Sequence, residues 1–378
     1  MYVLVERKAE HTEKENPMNN QKYVGLDVDQ ATIVAYVSDA EGGFVMETML
    51  ETKPSSIRQF LKSLEGPVHV AFEEGCMAAW LYDLVRPLVR EVIVCDPRQN
   101  KLIQSGNKGD RVDANKLTRL MRLGELRSVY HGDQSIRDLK ELVHTYDCFV
   151  RDSTRTMNRL KAVYRGQGIT SRGKRIYNNL TREDWKGKLA SEAARSHATC
   201  LYKQADSLNE LRAYAKREMV KQARKHSVYK HLIKVPGFGP IRVSQLIAEV
   251  GTPYRFRTKR QFWTYCGFAV VTHMSSEYEV IDGKRRRRKK PLQTRGLNHN
   301  FNRRLKAVFK GAAVTAIDKE PFKQYYTRLI DNKMRSEMAQ LTVARKISAI
   351  VLTMWKKGDS FNPDRVNQAE KAQAMSTD

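Results

Sequence analysis

Four carboxylates carry the first chemical signal in this sequence. Asp27 falls inside an otherwise apolar run, 23–28, where a charge is costly unless it is paired or bound to a metal. Glu73 closes a second apolar run, 68–72, and Asp110 and Asp113 stand three apart at a predicted helix start, a spacing that puts both on one face. Hard oxygen ligands converging at a sheet edge suit Mg²⁺, or Mn²⁺. Two such ions can clamp the attacking and leaving oxygens of a phosphoryl transfer. Taken singly, each residue also has a plainer reading, with Asp110 as a helix cap and Glu73 as the ordinary neighbour of Glu74.

Two further stretches carry chemistry. Val235-Pro236-Gly237-Phe238-Gly239-Pro240 precedes an apolar helix, 243–250. A turn with Gly237 and Gly239 at a helix start leaves backbone N–H groups to grip a phosphate, as in the hairpin of a helix-hairpin-helix element. A Pro-Gly turn between two helices is the alternative. A dinucleotide-binding loop would need a preceding strand and a third glycine, and neither is there. Downstream, the apolar stretch 266–274 ends in Ser275-Ser276, and Lys284, Arg285, Arg286, Arg287, Arg288, Lys289 and Lys290 follow without interruption. That basic run reads as a phosphate-binding loop. A serine attacking a phosphodiester needs a base and cations around the phosphorane. His273 lies two residues before Ser275, but no Ser/His/Asp triad can be assembled from spacing alone.

The elements that must position these residues follow from periodicity. Runs 23–28, 31–37 and 43–50 read as an antiparallel meander, with Asp39, Gly42 and Gly43 as turn residues. A helix capped by Ser55 runs to about 64, a strand covers 68–72, and a helix covers 77–89 through Trp80, Leu81, Leu84, Val85 and Leu88. A fifth strand covers 92–95. This is an α/β layout with one mixed sheet, in the element order of an RNase H-like fold. From 135 the pattern becomes helical: Ile136, Leu139, Val143, Tyr146, Val150, Met157 and Leu160 define a helix of about thirty residues. A second long helix spans roughly 191–226, and 166–189 reads as a loop or small insertion. The pair predicts an antiparallel hairpin serving as spacer or oligomerisation arm, or simply packed on its neighbours. The expected organisation is a polar leader (1–22), an α/β domain (23–130), the helical hairpin (131–230), a C-terminal, mainly helical domain (231–357) and a frayed tail (358–378).

Composition narrows the partners. The 378 residues carry 68 Lys+Arg against 42 Asp+Glu, a net charge of +26. Residues 1–130 sum to −2, so 131–378 hold +28. An acidic-to-neutral domain joined to so basic a region predicts a polyanion partner bound with strong salt dependence. At 41% hydrophobic the chain can build real cores. Its longest apolar run near the C-terminus, 347–355, is too short for a bilayer, and 1–22 lacks the charged-then-apolar order of a signal segment. Five scattered cysteines without a CxxC pair predict neither disulfides nor a Cys-based zinc site. A soluble cytoplasmic protein with no membrane partner is expected.

In this order the three blocks resemble the insertion-sequence transposases of the IS one-ten family, relatives of the Piv-type DNA invertases, from Tyr23 to about Trp355. The resemblance implies a RuvC-like N-terminal domain whose DEDD set falls on Asp27, Glu73, Asp110 and Asp113. Phe72-Glu73-Glu74-Gly75 is similar to that family's Glu-x-Gly block, which selects Glu73. Pro236-Gly237-Phe238-Gly239-Pro240, Arg255-Phe256, Tyr265-Cys266-Gly267-Phe268 and Thr294-Arg295-Gly296-Leu297-Asn298 match the C-terminal domain. The family's nucleophilic serine lies eight residues after the glycine of its Tyr-x-Gly block, which lands on Ser275. Many members read Ser-Gly there, whereas this chain has Ser275-Ser276, leaving Ser276 as an alternative.

Membership would imply DNA recombination through a transient phosphoserine, the serine of one subunit acting with the Mg²⁺-binding carboxylates of another. It would also imply a bridge RNA pairing with target and donor DNA, and a homodimer or homotetramer holding two duplexes. Gly237, Gly239, the run from Lys284 to Lys290 and Arg295 would contact nucleic acid. Two other readings compete: a metal-only RuvC-like nuclease or junction resolvase using the four carboxylates without a covalent step, and a non-catalytic nucleic-acid-binding protein.

Overall fold

The computed structural model describes residues 20–96, 109–275, 278–281, 284–287 and 292–366. They divide between His131 and Gly132 into two compact units, each described by itself.

The first unit is built on a five-stranded mixed sheet. β1 (Lys22–Val28), β2 (Thr32–Ser38) and β3 (Phe44–Glu51) form the expected antiparallel meander. β4 (Val68–Glu73) then pairs parallel with β1, and β5 (Glu91–Cys95) parallel with β4, giving the order β3-β2-β1-β4-β5. Alternation decides which side chains face which layer. Val24, Leu26, Val68, Val70 and Phe72 pack with Ile57, Phe60 and Leu61 of α1 (Pro54–Ser63) and with Leu81, Leu84 and Val85 of α2 (Ala78–Val85). The opposite face carries α3 (Asp110–Arg122), which lies against β1, β2 and β4.

Two boundaries differ from expectation. α1 begins at Pro54 after Lys53, with no side-chain cap: a proline at N1 supplies its fixed φ and lacks an N–H that the first turn could not use, so Ser55 lies inside the helix and does not cap it. α2 stops at Val85 rather than 89, because Pro87 has no N–H to donate to the preceding turn.

The second unit opens with α4 (Gln134–Gly166), whose N-cap Asp133 accepts from Ile136 N at 2.9 Å. It packs along α6 (Glu192–Ala223), capped by Ser191. The intervening segment is more ordered than a loop. Two 3₁₀ turns and the short α5 (Arg182–Gly187) bury Ile176 and Leu189 against Leu160, Tyr164, Leu201 and Tyr202. Arg182 clamps Asp206 through two bonds of 2.5 and 2.6 Å, and the Tyr164 and Tyr202 hydroxyls meet at 3.2 Å. α7 (Tyr229–Leu232), α8 (Pro240–Val250), α9 (Lys259–Tyr265), α10 (Arg303–Ala316), α11 (Phe322–Asp331) and α12 (Ser336–Lys357) complete the helices. One core unites them with α4 and α6, centred on Leu139, Met219, Leu246, Phe309, Ile347 and Val351.

This region is mainly helical, as the sequence suggested, but it also carries four short strands among the described residues. β6 (Val270–Ser275) pairs antiparallel with β9 (Leu292–Leu297), and β7 (Tyr278–Ile281) with β8 (Lys284–Arg287). The first four residues of the basic run, expected in a phosphate-binding loop, are therefore a strand. Cross-strand contact favours this arrangement, since the Arg285 guanidinium lies 4.0 Å from the Tyr278 ring centroid, a cation–π distance. Among the described residues no helix is long and apolar enough to cross a membrane.

An ionic knot around the buried Glu249 ties three helices of this unit. Arg304 on α10 donates from Nε to Asp147 Oδ2 of α4 at 2.7 Å and from Nη1 to Glu249 of α8. Asn302 also donates to Glu249, at 2.5 Å. Removing one partner of such a pair costs more than the pair contributes, because a charge is left buried alone. Arg304→Met is expected to lower unfolding free energy by about 3–5 kcal/mol, read as a lower urea midpoint. Adding Glu249→Gln to that variant should restore most of the loss.

Candidate active site and nucleic-acid interface

The first unit gathers the predicted carboxylates at one end of its sheet. β1 and β4 run parallel with Leu26 opposite Phe72, so Asp27 and Glu73 occupy the next positions in register. Both are on the face opposite Leu26 and Phe72, the face that carries α3. Asp110 and Asp113 are in the first turn of α3, after Gly109 at the N-cap. Asp110 is therefore the first helical residue and not the cap. What lets α3 lie so close is Gly25: a Cβ there would come within 2.0 Å of the Ala114 carbonyl oxygen and 2.5 Å of Thr118 Oγ1. That hydroxyl donates to Ala114 O and Tyr36 O.

Electrostatics ties the four together. Burial, then the negative charges of Asp110 and Asp113, push the Asp27 carboxyl above its ordinary range. Burial, then Asp27, Asp113 and Asp96, do the same to Glu73. The buried Cys95 thiol, beside Glu73, is pushed up to about 12, chiefly by desolvation. Lys116 Nζ lies 3.2 Å from Asp113 Oδ1. Carboxylates held close enough to repel one another are characteristic of functional sites. Among the described residues no three His, Cys, Asp or Glu side chains stand close enough to chelate an ion as placed. The donor chemistry nonetheless fits a hard divalent cation, all oxygen and predominantly anionic. Asp96 and Gly25 escaped the sequence reading. The signal for Asp96 is its position just after β5, at the same end of the sheet as Glu73.

The second unit presents the other predicted residues. The 233–239 turn joins α7 to α8. Gly237 has φ +85°, and a Cβ there would meet the Ala312 carbonyl oxygen at 2.2 Å; its glycine is required by packing on α10. Nothing lies within 4 Å of the Cβ position of Gly239. The Tyr265-Cys266-Gly267 block turns the chain out of α9 with φ +73° at Gly267, and Asn302 N donates to Tyr265 O at 2.8 Å. From that base β6 runs outward to end at Ser275, opposite Leu292, so the spacing between Gly267 and Ser275 is one turn plus one strand. Ser276 lies outside the described residues. Lys284, Arg285 and Arg286 are exposed on β8, which Arg287 ends, while Arg288, Lys289 and Lys290 lie outside the described residues. Arg295 sits on β9 opposite Thr272.

The first unit thus gathers carboxylates at one end of a sheet, and a strongly basic, mainly helical unit follows it in the chain. Two transposase family models match the chain: the DEDD transposase model of IS110 elements over residues 24–166, and the transposase IS116/IS110/IS902 family over 229–327. The chain belongs to the IS110 (IS one-ten) family of insertion-sequence transposases. It is similar to the transposase for insertion sequence element IS1111A of Coxiella burnetii, 26% identical over 206 residues, 52% of this chain and 55% of that protein. It is also similar to the putative transposase y4qE of Sinorhizobium fredii, 32% identical over 135 residues, 32% of this chain and 33% of that protein. The chain thus matches about half, or less, of the length of these curated relatives.

Proposed function

We propose that this chain is a DNA transposase that cuts and rejoins strands through a phosphoserine at Ser275, guided by a bridge RNA and working as a dimer or tetramer. What chiefly supports the reading is the placement of Asp27 and Glu73 next to each other in register at the end of the sheet, with Asp110 and Asp113 in the first turn of the helix packed on that face. The mixed sheet of order β3-β2-β1-β4-β5, with helices on both faces, supports reading this unit as an RNase H-like, RuvC-like domain, which would fit phosphoryl transfer. The four carboxylates would hold Mg²⁺ or Mn²⁺, which when bound supplies positive charge against the phosphate oxygens. The turn around Gly237 and Gly239 would act as the hairpin of a helix-hairpin-helix element.

In this reading the Ser275 hydroxyl adds to phosphorus and the bond to the departing strand oxygen breaks. The hydroxyl proton ends on that oxygen. Attack by a hydroxyl of the incoming strand then releases the serine. One ester replaces another at each step, so strand exchange needs no nucleotide hydrolysis. The basic ribbon residues Lys284, Arg285, Arg286 and Arg287, with Arg295, neutralise backbone phosphates.

The test is a covalent-adduct assay. The chain is incubated with Mg²⁺, the structured RNA encoded beside its element and labelled target and donor DNA, then run on a denaturing gel. Label should move with the protein in wild type and Ser276→Ala, and that adduct should vanish in Ser275→Ala. Cleaved DNA with no adduct, equally in wild type and Ser275→Ala, would replace this reading with a metal-only nuclease.

A further inference from the structure

We propose that the cleft between α4, α8 and α10 is a built binding site for a backbone phosphate of nucleic acid, with Arg242 as its anchor. This rests on the reading above that the chain handles nucleic acid, and it adds a site that neither the glycine turn nor the basic ribbon includes.

The cleft has a volume of about 590 Å³ and takes four arginines into its walls, Arg151, Arg242, Arg303 and Arg304. Arg304 is spoken for by Asp147 and Glu249. Arg151 donates to Cys148 Sγ at 3.1 Å, and Arg303 is exposed in the first turn of α10. Arg242 differs from all of them. Its Nη1 donates to Gly237 O at 2.6 Å and to Thr315 Oγ1 at 3.1 Å. Its Nε and Nη2 have no hydrogen-bond partner among the described residues, and the side chain lines the cleft. The guanidinium is therefore locked by one nitrogen while the edge formed by the other two stays open. That edge is the fork that matches two oxygens of a phosphate.

A glycine keeps the edge open. Gly311 lies inside α10, where glycine costs a helix about 1 kcal/mol relative to alanine. A Cβ at 311 would come within 3.1 Å of Arg242 Nη2 and 3.2 Å of Nε, tighter than ordinary contact. The helix gives up propensity at the one position where a methyl would press on the open edge. No carboxylate pairs with Arg242 among the described residues, and burial lowers its pKa. A bound phosphate would supply the missing anion. Because Nη1 holds the carbonyl of Gly237, the same side chain couples this cleft to the glycine turn, so one strand could run from turn to cleft.

The experiment uses the full chain and two probes in parallel, a labelled random-sequence duplex DNA and a labelled random-sequence hairpin RNA, each titrated over a series of salt concentrations. Gly311→Ala should weaken binding to at least one probe by about tenfold. It should also flatten the plot of log affinity against log salt by about one phosphate's worth, a slope change near 0.9 on duplex DNA or about 0.7 on a single strand. Its melting midpoint should not fall. Arg242→Gln should show the same loss of affinity and the same flatter slope. In the double variant Gly311→Ala should add nothing, since its effect runs through the Arg242 edge. Whichever probe responds identifies the source of the phosphate. Wild-type affinity and slope in Gly311→Ala on both probes would overturn the site, as would a Gly311→Ala loss that persists in the Arg242→Gln background. Should Arg242→Gln fail to fold, Gly311→Ala alone decides. A wild-type chain that binds neither probe would instead remove the nucleic-acid reading itself.

Discussion

A single methyl group at Gly25 is expected to unseat α3 and with it half of the acidic site. The Cβ of Gly25→Ala would fall 2.0 Å from the Ala114 carbonyl oxygen and 2.5 Å from Thr118 Oγ1. The first of these is backbone and cannot swing aside, so the helix must move or the strand must bend. Overpacking in a closed interior costs about 1–3 kcal/mol, and a clash with main chain belongs at the upper end. For a unit of this size each kcal/mol lowers the melting midpoint by about 4–8 °C, so a fall of roughly 15 °C is expected. Amide exchange in β1 and α3 should accelerate while that of α8 and α10 stays unchanged. Strand transfer should be lost, because Asp110 and Asp113 travel with α3. Gly75→Ala is the stability control, since nothing lies within 4 Å of that Cβ position. Equal melting and exchange in the two variants would refute the close-approach argument.

Asp27→Asn should have the opposite effect on stability and an equally severe one on activity. Burial, Asp110 and Asp113 raise the carboxyl's pKa in the folded state, whereas in the unfolded chain it keeps an ordinary value of about 3.9. The folded state therefore holds its proton more tightly. Ionising Asp27 costs no stability below the unfolded pKa; the cost grows as pH rises through the folded one and is complete above it. An amide of the same shape removes that cost at neutral pH. Asp27→Asn should melt above wild type at pH 7, with the gain shrinking to nothing below about pH 4. Strand transfer in Mg²⁺ should fall by at least about 10²-fold, because an anionic oxygen is lost where positive charge must be held. Stability gained while activity is lost marks a residue kept for function. A variant that melts below wild type at pH 7 would mean that Asp27 is structural.

Much of the first unit was legible because its signals are local. Short apolar runs at 23–28 and 68–72 located β1 and β4, and Asp27 within the first and Glu73 just after the second stood out against apolar neighbours. Asp110 and Asp113 were readable as a pair from helical spacing. The long helices declared themselves through repeated apolar positions from Ile136 to Leu160. The ribbon of β6 to β9 did not, since four consecutive basic residues carry no alternation of polarity. β8 is a strand because β7 lies beside it and Arg285 stacks on Tyr278. The segment 166–189 read as a loop for a related reason: its few apolar residues gain a core only once α4 and α6 bring Tyr164 and Tyr202 together.

By itself, then, the sequence determined the residue types that can do chemistry, the order of the elements that carry them and the split between a near-neutral region and one holding +28. Side-chain chemistry and short-range periodicity suffice for those. Only the tertiary structure decided that the Asp27 and Glu73 positions are neighbours, because parallel pairing joins strands some forty residues apart. It alone also revealed that Gly25 admits α3 and that Gly311 leaves the Arg242 edge open. A missing Cβ has no meaning until another element arrives to occupy its space.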